Sequence, residues 1–227
     1  MLSALPMKRR AWMSWSSGKD SAYALAVARK RTDLEIVALL TTVTDTYSRV
    51  SMHGVREELL HAQARATGLP LVQVRIPAPC SNAEYEERIG AALAGALAGG
   101  VDTMVFGDLY LADIREYREK QLARVGMRAE FPLWKMDTRT LAREMIDAGV
   151  RAVLTCVDPK QIPRELAGRD FDESLLADLP ASADPCGENG EFHTFAHAGP
   201  ALREPIALRR GEVVERDGFV FADLMLQ

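Results

Sequence analysis

The chain has little cysteine and no long hydrophobic run. Its 227 residues include three cysteines, Cys80, Cys156 and Cys186, which lie far apart and form no Cys-X-X-Cys pair. This spacing indicates neither a zinc site nor a disulfide framework, and reduced thiols are typical of cytoplasmic proteins. No apolar run approaches the roughly 20 residues needed to span a membrane, so we expect no membrane partner.

The N-terminal segment lacks the order of features found in a secretory signal. Its positive charges, Lys8, Arg9 and Arg10, follow a very short apolar stretch. A signal peptide instead begins with positive charge and continues with a longer apolar core. We therefore expect a cytoplasmic protein.

An excess of basic charge is absent as well. The sequence has 28 basic and 32 acidic residues, which give a formal net charge of −4. A protein that binds nucleic acid over a broad surface needs a basic face, so we do not expect a nucleic-acid partner. The 48% of hydrophobic residues is ordinary for a globular protein with a sizeable core.

In the first half of the chain, predicted strands alternate with predicted helices. Runs of β-branched and aliphatic residues are followed by segments with apolar residues at helical spacing. This alternation predicts an α/β fold, a Rossmann-like parallel sheet with helices on both faces. In such sheets ligands bind at the carboxyl ends of the strands, near a change in strand order. The predicted strands are residues 11–15, 35–43, 71–76 and 103–106, and the predicted helices are 20–31, 55–67 and 84–98.

The second half has a different pattern and predicts a smaller α+β domain. A helix at residues 137–146 and a strand at 152–157 are followed by short pieces. From Phe192 onward the pattern is β-like, with a turn predicted at residues 212–217. We therefore divide the chain into domains of residues 1–130 and 131–227, with no flexible linker between them.

The segment Ser-Ser-Gly-Lys-Asp-Ser, residues 16–21, lies between the first predicted strand and the first predicted helix. A helix N-terminus exposes N–H donors and favours an anion, and Gly18 lets the backbone approach a ligand closely. Lys19 adds a positive charge, so the segment predicts a phosphate site without the spacing of a Walker loop. Asp20 would repel phosphate unless it binds a metal ion or caps the helix. An ordinary capped helix after a surface turn is the alternative. Further candidate donors are the hydroxyls of Ser16, Ser17 and Ser21.

Two other loops are predicted to reach the same edge of the sheet. Gly107 and Asp108 follow the fourth predicted strand, where Gly107 is a candidate cofactor contact and Asp108 a candidate partner of magnesium or a substrate. Thr42 and His53 lie at or after the second strand and are candidate nucleotide contacts. The alternatives are a buried strand residue for Thr42 and a solvated helix start for His53.

The densest group of ionisable residues lies in residues 184–195, Asp-Pro-Cys-Gly-Glu-Asn-Gly-Glu-Phe-His-Thr-Phe. The Asn-Gly pair indicates a turn, and strand alternation after it would place Glu191 and His193 on one face. Glu188 lies across the turn. Two carboxylates and an imidazole suit general-base chemistry or the binding of a cation such as ammonium. The alternative is an ordinary hairpin with outward polar side chains.

Residues 16–21 resemble the Ser-Gly-Gly-X-Asp-Ser fingerprint of the PP-loop ATP pyrophosphatases. The resemblance implies that this loop binds ATP and that the bond between the α- and β-phosphates is cleaved. Ser17 stands where the family often has a glycine, at a position whose backbone needs a positive φ angle.

Together, the three motifs resemble the diphthine–ammonia ligase family within the PP-loop group, with residues 187–194 as the most specific match. Residues 51–55, 131–134 and 169–172 extend the resemblance over essentially the whole chain. It implies an ATP-binding domain before residue 131 and a substrate domain after it. It also implies ATP and Mg²⁺ as cofactors, with Asp20 or Asp108 helping to hold the metal ion.

The resemblance further implies an amide made from a carboxylate and ammonia. Glu188, Glu191 and His193 would hold ammonium and remove its proton, and Asp108 is included among the catalytic residues. In the family the acceptor is diphthine, a modified histidine. Residues 14–21 and 79–82, however, are similar to bacterial-type members, and bacteria lack diphthamide. The acceptor is therefore left open, either a small molecule or a modified protein side chain, and the chain is compatible with a homo-oligomer.

Two other functions fit parts of the sequence. A PP-loop thiolase that modifies transfer RNA would need a reactive cysteine and a basic surface, which the net charge and the absence of paired cysteines disfavour. A nucleotide-binding sensor without turnover would have no need of the acidic residues in segment 184–195.

Overall fold

Two sheets make up the fold of the chain. The structure is a computed structural model that describes residues 8–45, 49–50 and 54–227, so the predicted nucleotide contact His53 lies outside the described residues. The first half of the chain builds a mainly parallel sheet and the second half an antiparallel one. None of the described helices has the length and apolar character needed to cross a lipid bilayer.

The first sheet has five parallel strands and one short antiparallel strand. Its strands are β1 (Arg9–Ser14), β2 (Leu34–Thr44), β3 (Arg49–Val50), β4 (Leu71–Ile76), β5 (Thr103–Val105) and β6 (Arg128–Glu130). The parallel strands lie in the order β4-β2-β1-β5-β6, and β3 pairs antiparallel with the end of β2. The Rossmann-like α/β fold predicted from the alternation is confirmed.

Four helices connect these strands, and their ends follow local sequence signals. They are α1 (Lys19–Arg29), α2 (Glu57–Thr67), α3 (Asn82–Ala98) and α4 (Ala112–Arg124). The helix α2 ends at Gly68, whose φ angle of 70° is left-handed. The helix α3 begins with a capping box in which the side chains of Ser81 and Glu84 each accept a backbone N–H.

The strand order changes direction at β1. The chain runs outward from β1 through β2 to β4 and then returns to β5 on the other side of β1. Ligand sites of doubly wound sheets lie at such a change. The loops after β1 and β5, which carry two of the predicted motifs, therefore meet at the expected ligand-binding edge.

The second sheet is antiparallel and has helices beside it. Its strands are β7 (Arg151–Val157), β8 (Phe192–Ala198), β9 (Leu208–Arg216) and β10 (Phe219–Leu226), in the order β8-β7-β10-β9, and the helices are α5 (Thr138–Asp147) and α6 (Glu173–Asp178). The predicted smaller α+β domain is confirmed. The predicted turn at residues 212–217 is wrong, because β9 continues to Arg216. The turn is made by Asp217 and Gly218, whose φ angles are 53° and 82°.

One hydrophobic core is shared by both halves of the chain. It contains Leu25 of α1 and Leu59 of α2 together with Val153 of β7 and Phe195 of β8, each at most 2% exposed. A second core forms between α3 and the parallel sheet. The antiparallel sheet therefore packs against α1 and α2, and this packing brings β8 beside the loop that follows β1.

Candidate active site

Two adjoining cavities open at the carboxyl ends of β1 and β5. The polar cavity has a volume of about 250 Å³, and the apolar cavity has a volume of about 480 Å³. They share Ser14, Ser16, Arg118 and His193, so one ligand with a polar and an apolar part can occupy both. The polar cavity is lined also by Lys19, Asp20, Ser21, Gly107, Asp108 and Glu188, and the apolar cavity by Trp15, Leu40, Thr42, Ile76, Met104 and Phe106.

The loop after β1 turns sharply at Ser17, whose φ angle is 70°. This left-handed conformation favours glycine, which explains why the PP-loop fingerprint has a glycine there. The Ser17 carbonyl accepts hydrogen bonds from Gln63 Nε2 (2.9 Å) and from the Ala196 N–H (2.9 Å). The Ser17 hydroxyl is buried and has no hydrogen-bond partner among the described residues. Ser17 therefore shapes the loop and borders neither cavity.

The hydroxyls on either side of Ser17 form a small hydrogen-bonded group. The Ser16 hydroxyl donates to Ser21 Oγ (3.1 Å), and the Ser21 hydroxyl donates to the Gly18 carbonyl (3.0 Å). Gly18 precedes α1 with an extended backbone and has no side chain to cap the helix. The Lys19 N–H instead donates to Thr194 Oγ1 (3.1 Å), so Asp20 does not take the capping role considered for it. The first-turn N–H groups of α1 have no acceptor within the helix, which is the arrangement that favours an anion.

Lys19 has a buried ammonium group that joins the loop to the second half of the chain. Its Nζ donates to the Asp20 carboxylate (2.9 Å) and to the Cys186 carbonyl, and it lies 5.2 Å from the ring centroids of Phe171 and Phe192. Burial disfavours the charged form of Lys19, but the Asp20 carboxylate and other negative groups outweigh it, so its pKa is raised. Burial also raises the pKa of Asp20, against the opposing effect of Lys19.

Gly107 packs against the first turn of α1. A Cβ atom added to it would lie 2.9 Å from the Asp20 carbonyl carbon and 2.9 Å from the Ser21 nitrogen. A larger residue would therefore have to move the start of the helix. Gly107, predicted to contact the cofactor, lines the polar cavity and also determines how closely the loop after β5 approaches α1.

Asp108 lines the polar cavity and is paired with Arg118, an α4 residue that sequence reasoning missed. The Arg118 Nε donates to Asp108 Oδ1 (3.0 Å), and the guanidinium lies 4.5 Å from the Phe106 ring centroid. Arg118 borders both cavities, where a guanidinium can contact phosphate. The sequence offered one signal that Arg118 could belong to the site: its helix, α4, follows the loop that carries Asp108.

Glu188 places its carboxyl group at the wall of the polar cavity. Its Oε1 accepts hydrogen bonds from the Leu109 N–H (2.7 Å) and the Tyr110 N–H (3.4 Å). Burial raises the pKa of Glu188 to about 7; the two N–H donors oppose this rise, and the Asp20 and Asp108 carboxylates add to it. A carboxyl group with a pKa near neutrality can take up and release a proton, as a general acid or base must.

Glu191 lies inside the turn that presents Glu188. It is 1% exposed, and its two oxygens accept from the Asp184 N–H (2.8 Å) and the Asn189 N–H (2.9 Å). Asp184, which sequence reasoning missed, accepts the Glu188 N–H (3.0 Å). Of the two residues expected to share a face, His193 borders both cavities and Glu191 borders neither. Glu191 and Asp184 therefore hold the shape of the turn.

His193 lies in β8 at the junction of the two cavities. Burial lowers its pKa to about 4, and the Lys19 charge contributes further. The imidazole is therefore neutral at pH 7 and can both donate and accept a hydrogen bond. Thr42 of β2 borders the apolar cavity, a position compatible with a nucleotide contact.

Two of the three cysteines are buried and carry no reactive thiolate. Burial raises the pKa of Cys156 to about 12, and burial also raises the pKa of Cys186 far above its usual range. The Cys186 thiol donates to the Thr138 carbonyl (3.4 Å). Neither residue has the electropositive, accessible surroundings of a catalytic cysteine, so neither supports a thiolase.

Asp20 and Asp108 are the residues that could hold Mg²⁺. Within the part of the chain that the structure describes, no three His, Cys, Asp or Glu side chains form a metal cage. Both aspartates line the polar cavity, where Lys19 and Arg118 pair with them. Proteins usually bind Mg²⁺ through one or two carboxylates together with substrate phosphates. The two aspartates therefore fit a magnesium ion that binds with a triphosphate.

Comparison with known families matches both halves of the chain. Residues 8–129 match the diphthamide synthase N-terminal domain, and residues 137–222 match the diphthamide synthase C-terminal domain. The chain belongs to the diphthamide synthase family. The resemblance read from the three motifs is thereby confirmed. Residues 16–21 lie within the N-terminal match, and Glu188 and His193 lie within the C-terminal match.

Curated relatives of the chain are named diphthine–ammonia ligase. The relative from Schizosaccharomyces pombe is 30% identical over 101 residues, which are 43% of this chain and 17% of the relative. Those from Homo sapiens and Bos taurus are 29% and 28% identical over 118 residues, which are 49% of this chain and 44% of each relative. The chain thus spans less than half the length of each of these relatives.

Proposed function

We propose that the chain is an ATP-dependent ligase that forms an amide from a carboxylate and ammonia. The substrate carboxylate attacks the α-phosphate of ATP and releases pyrophosphate. Ammonia then attacks the acyl adenylate, and AMP leaves. The observation that carries the proposal is one polar cavity that contains both the phosphate loop and a carboxyl group, Glu188, with a pKa near 7. The names of the three relatives support the same type of reaction.

The two cavities suit the two parts of ATP. The adenosine part fits the apolar cavity beside Trp15 and Thr42, and the phosphates fit the polar cavity. The N–H groups of the first turn of α1 that follow Lys19 and the hydroxyl groups of Ser16 and Ser21 would then contact phosphate oxygens. Arg118 and His193 border both cavities, which is where the α-phosphate would lie.

Magnesium belongs to this proposal. Asp20 and Asp108 would hold the ion, which offsets negative charge on the departing pyrophosphate. An ion pair with the Lys19 ammonium holds the Asp20 carboxylate in position, and an ion pair with the Arg118 guanidinium holds the Asp108 carboxylate in the same way.

Glu188 is the proposed proton acceptor for ammonium. Ammonium must lose a proton before its nitrogen can attack, and a carboxyl group with a pKa of about 7 can accept that proton near neutral pH. Neutral His193 would orient the reacting groups by a hydrogen bond. Glu191 keeps Glu188 in place through the turn rather than binding ammonium directly. This assignment narrows the sequence hypothesis, in which all three residues had the same role.

The acceptor in this proposal is a carboxylate on a small molecule or on a modified protein side chain. The relatives are named for diphthine. We place the reaction in the cytoplasm, where reduced thiols persist, and the cysteines Cys80, Cys156 and Cys186 are all free.

ATP–pyrophosphate exchange against a panel of carboxylates, with and without ammonium, tests the proposal. Exchange should occur only with the carboxylate that the chain activates. When ammonium is added, the reaction should proceed to net production of AMP and amide. Asp20→Asn should abolish exchange, whereas Glu116→Gln, an exposed change on α4, should leave it intact. Glu188→Gln should retain exchange but slow amide formation by about 100-fold or more, because the proton acceptor is needed in the second step.

The same experiments separate the alternatives. Full AMP release by Asp20→Asn would contradict the assignment of the phosphate loop. Tight ATP binding without AMP production over hours would favour a nucleotide sensor, and tight binding of transfer RNA would favour a thiolase.

A further inference from the structure

Gln63 is a fully buried amide side chain between the two halves of the chain. It lies on α2, is 0% exposed and borders neither cavity. Its Nε2 donates to the carbonyls of Ser17 (2.9 Å) and Ala196 (2.6 Å). Its Oε1 accepts from the Trp15 indole N–H (2.9 Å). The proposed reaction makes no direct use of this residue.

A carboxamide satisfies all three partners of Gln63 at once. Two carbonyl oxygens need donors and one indole N–H needs an acceptor, so the partners also determine which end of the amide is the nitrogen. A carboxylate could accept from Trp15 but could not donate to either carbonyl, and a hydrocarbon could do neither. Because the group is buried, water cannot replace the lost hydrogen bonds.

The three partners belong to three parts of the candidate site. Trp15 forms part of the wall of the apolar cavity. Ser17 is the left-handed residue that turns the phosphate loop. Ala196 lies in β8, the strand that also carries His193. One side chain therefore connects the nucleoside wall, the phosphate loop and the strand from the C-terminal half.

Two further hydrogen bonds join the loop directly to β8. The Ala196 N–H donates to the Ser17 carbonyl (2.9 Å), and the Lys19 N–H donates to Thr194 Oγ1 (3.1 Å). The Ser17 carbonyl thus receives one donor from β8 and one from Gln63. The position of the loop relative to His193 depends on this compact set of contacts.

We propose that Gln63 is a positioning residue that sets the register of the phosphate loop against β8. Through Ser17 it determines where the loop hydroxyls stand, and through Ala196 it determines where His193 stands. Its effect on ATP binding rests on the proposed function, whereas its effect on the geometry of the loop does not.

Gln63→Glu and Gln63→Met, made in the full chain, remove both donated hydrogen bonds. The matched control is Thr67→Val. Thr67 lies one turn further along α2, is equally buried, and donates its hydroxyl within the helix to the Ala64 carbonyl (2.8 Å). Every variant removes at least one hydrogen bond donated by a buried side chain of α2, but the Gln63 variants alone alter a contact with Ser17.

Two measurements test the proposal. Hydrogen exchange of the amides in residues 16–21 and 193–197 is measured without nucleotide, and the Kd, KM and kcat are measured with ATP and Mg²⁺. Gln63→Glu should accelerate hydrogen exchange in both segments and weaken ATP binding by about 10- to 100-fold, because small displacements of the groups in a site have large effects on its interactions. The KM for ATP should rise more than kcat falls. Thr67→Val should lower the melting temperature without changing exchange in these segments or the Kd.

Unchanged exchange and an unchanged Kd in a folded Gln63 variant would overturn the proposal. Equal effects of Thr67→Val and Gln63→Met on the loop would also overturn it, because they would show a general weakening of α2. Gln63→Met introduces no buried charge and supplies the comparison if Gln63→Glu does not fold. If the wild-type chain binds no ATP, the proposed function fails, and the exchange measurement alone decides the role of Gln63.

Discussion

Ser17 combines two unfavourable features at the scale of a single residue. Its φ angle is 70°, and its buried hydroxyl has no partner among the described residues. A left-handed conformation costs a residue with a Cβ atom about 1–2 kcal/mol, and an unmet buried polar group costs about 1–3 kcal/mol. Gln63 and Ala196 hold the Ser17 carbonyl in place, so the loop retains this conformation despite the cost.

We expect Ser17→Gly to stabilise the chain more than Ser17→Ala does. Glycine removes both costs, although it loses about 0.5–1 kcal/mol more in backbone entropy on folding. Alanine removes only the cost of the hydroxyl without a hydrogen-bond partner. The melting temperature should rise by roughly 2–4 °C for each kcal/mol gained. The expected order is wild type, then Ser17→Ala, then Ser17→Gly, measured by thermal unfolding. A melting temperature of Ser17→Gly below that of the wild type would contradict this account of the loop.

Glu188 and His193 should affect stability in opposite directions as the pH changes. The folded-state pKa of Glu188, about 7, lies above its ordinary value of 4.5. Its contribution to the free energy of unfolding is therefore fully present below pH 4.5 and is lost as the pH rises through 7. The folded-state pKa of His193, about 4, lies below its ordinary value of 6.5, so its contribution is complete above pH 6.5 and is lost as the pH falls through 4. Each shift corresponds to about 3 kcal/mol.

The changes that Glu188 and His193 make to the free energy of unfolding should nearly cancel between pH 6.5 and pH 4.5. Variants of each residue alone should separate them. The free energy of unfolding of Glu188→Gln should fall more steeply than that of the wild type as the pH is lowered, because the His193 contribution is then unopposed. His193→Gln should show the reverse. Urea unfolding of all three proteins at several pH values across this range provides the measurement. Parallel pH profiles for the three proteins would show that these environments are wrongly assigned.

At the scale of elements, the close approach of the loop after β5 to the start of α1 shapes the phosphate loop. Gly107 makes this approach possible, since a Cβ atom there would meet the backbone of Asp20 and Ser21 at 2.9 Å. The strand β8 holds the other side of the same turn, where Thr194 Oγ1 accepts the Lys19 N–H (3.1 Å). The start of α1 is therefore clamped between the loop after β5 and the strand β8.

We expect Gly107→Ala to destabilise the chain and to weaken ATP binding. Forcing a methyl group against backbone atoms costs about 1–3 kcal/mol, and the shift would fall on the start of α1, the proposed phosphate site. Gly90→Ala is the matched control, because Gly90 lies inside α3 and an added Cβ atom there meets nothing within 4 Å. That change should instead stabilise the chain by about 1 kcal/mol. Denaturant unfolding and ATP titration test both variants, and a Gly107→Ala protein with wild-type ATP affinity would count against the clamp.

At the scale of the whole molecule, the two sheets depend on the same core. The larger core combines residues of α1 and α2 with residues of β7 and β8. Polar contacts reinforce it, because the buried Lys19 and Gln63 of the first half donate to the Cys186 and Ala196 carbonyls of the second half. Separation of the halves would expose apolar surface and leave these buried groups without partners.

We therefore expect the full chain to unfold in one cooperative transition. Calorimetry should give a van't Hoff enthalpy close to the calorimetric enthalpy, because the larger core is built from residues of both halves. ATP with Mg²⁺ should shift the whole transition upward rather than one part of it. Two resolved transitions, with only the first-half transition responding to ATP, would show that the halves fold independently.

Sequence patterns predicted the parallel sheet well and the exposed edge of the second sheet poorly. The strand β2 contains a near-continuous aliphatic and β-branched run, which has few other interpretations. Residues 212–217 are mostly charged, and β9 is an edge strand with little burial, so its composition resembles that of a turn. The strand β6 has only three residues, which is too short for a periodic signal.

The candidate site shows the same division between local and distant information. The turn between β1 and α1 was predictable because its signal lies within residues 16–21. The roles of Arg118, Asp184 and Gln63 were not predictable, because each depends on a partner brought near by folding. Glu191 and His193 are two residues apart, yet burial in the turn separates the first from the cavities that the second borders.

The sequence by itself determined the class of fold and the family, because periodicity and motifs are local properties of the chain. The tertiary structure decided how far the pKa of each ionisable group departs from its ordinary value. The Glu188 carboxyl meets the Leu109 N–H across 79 residues of sequence, and burial there moves its pKa to about 7. A pKa depends on desolvation and on neighbouring charges, and both are set by contacts between distant parts of the chain.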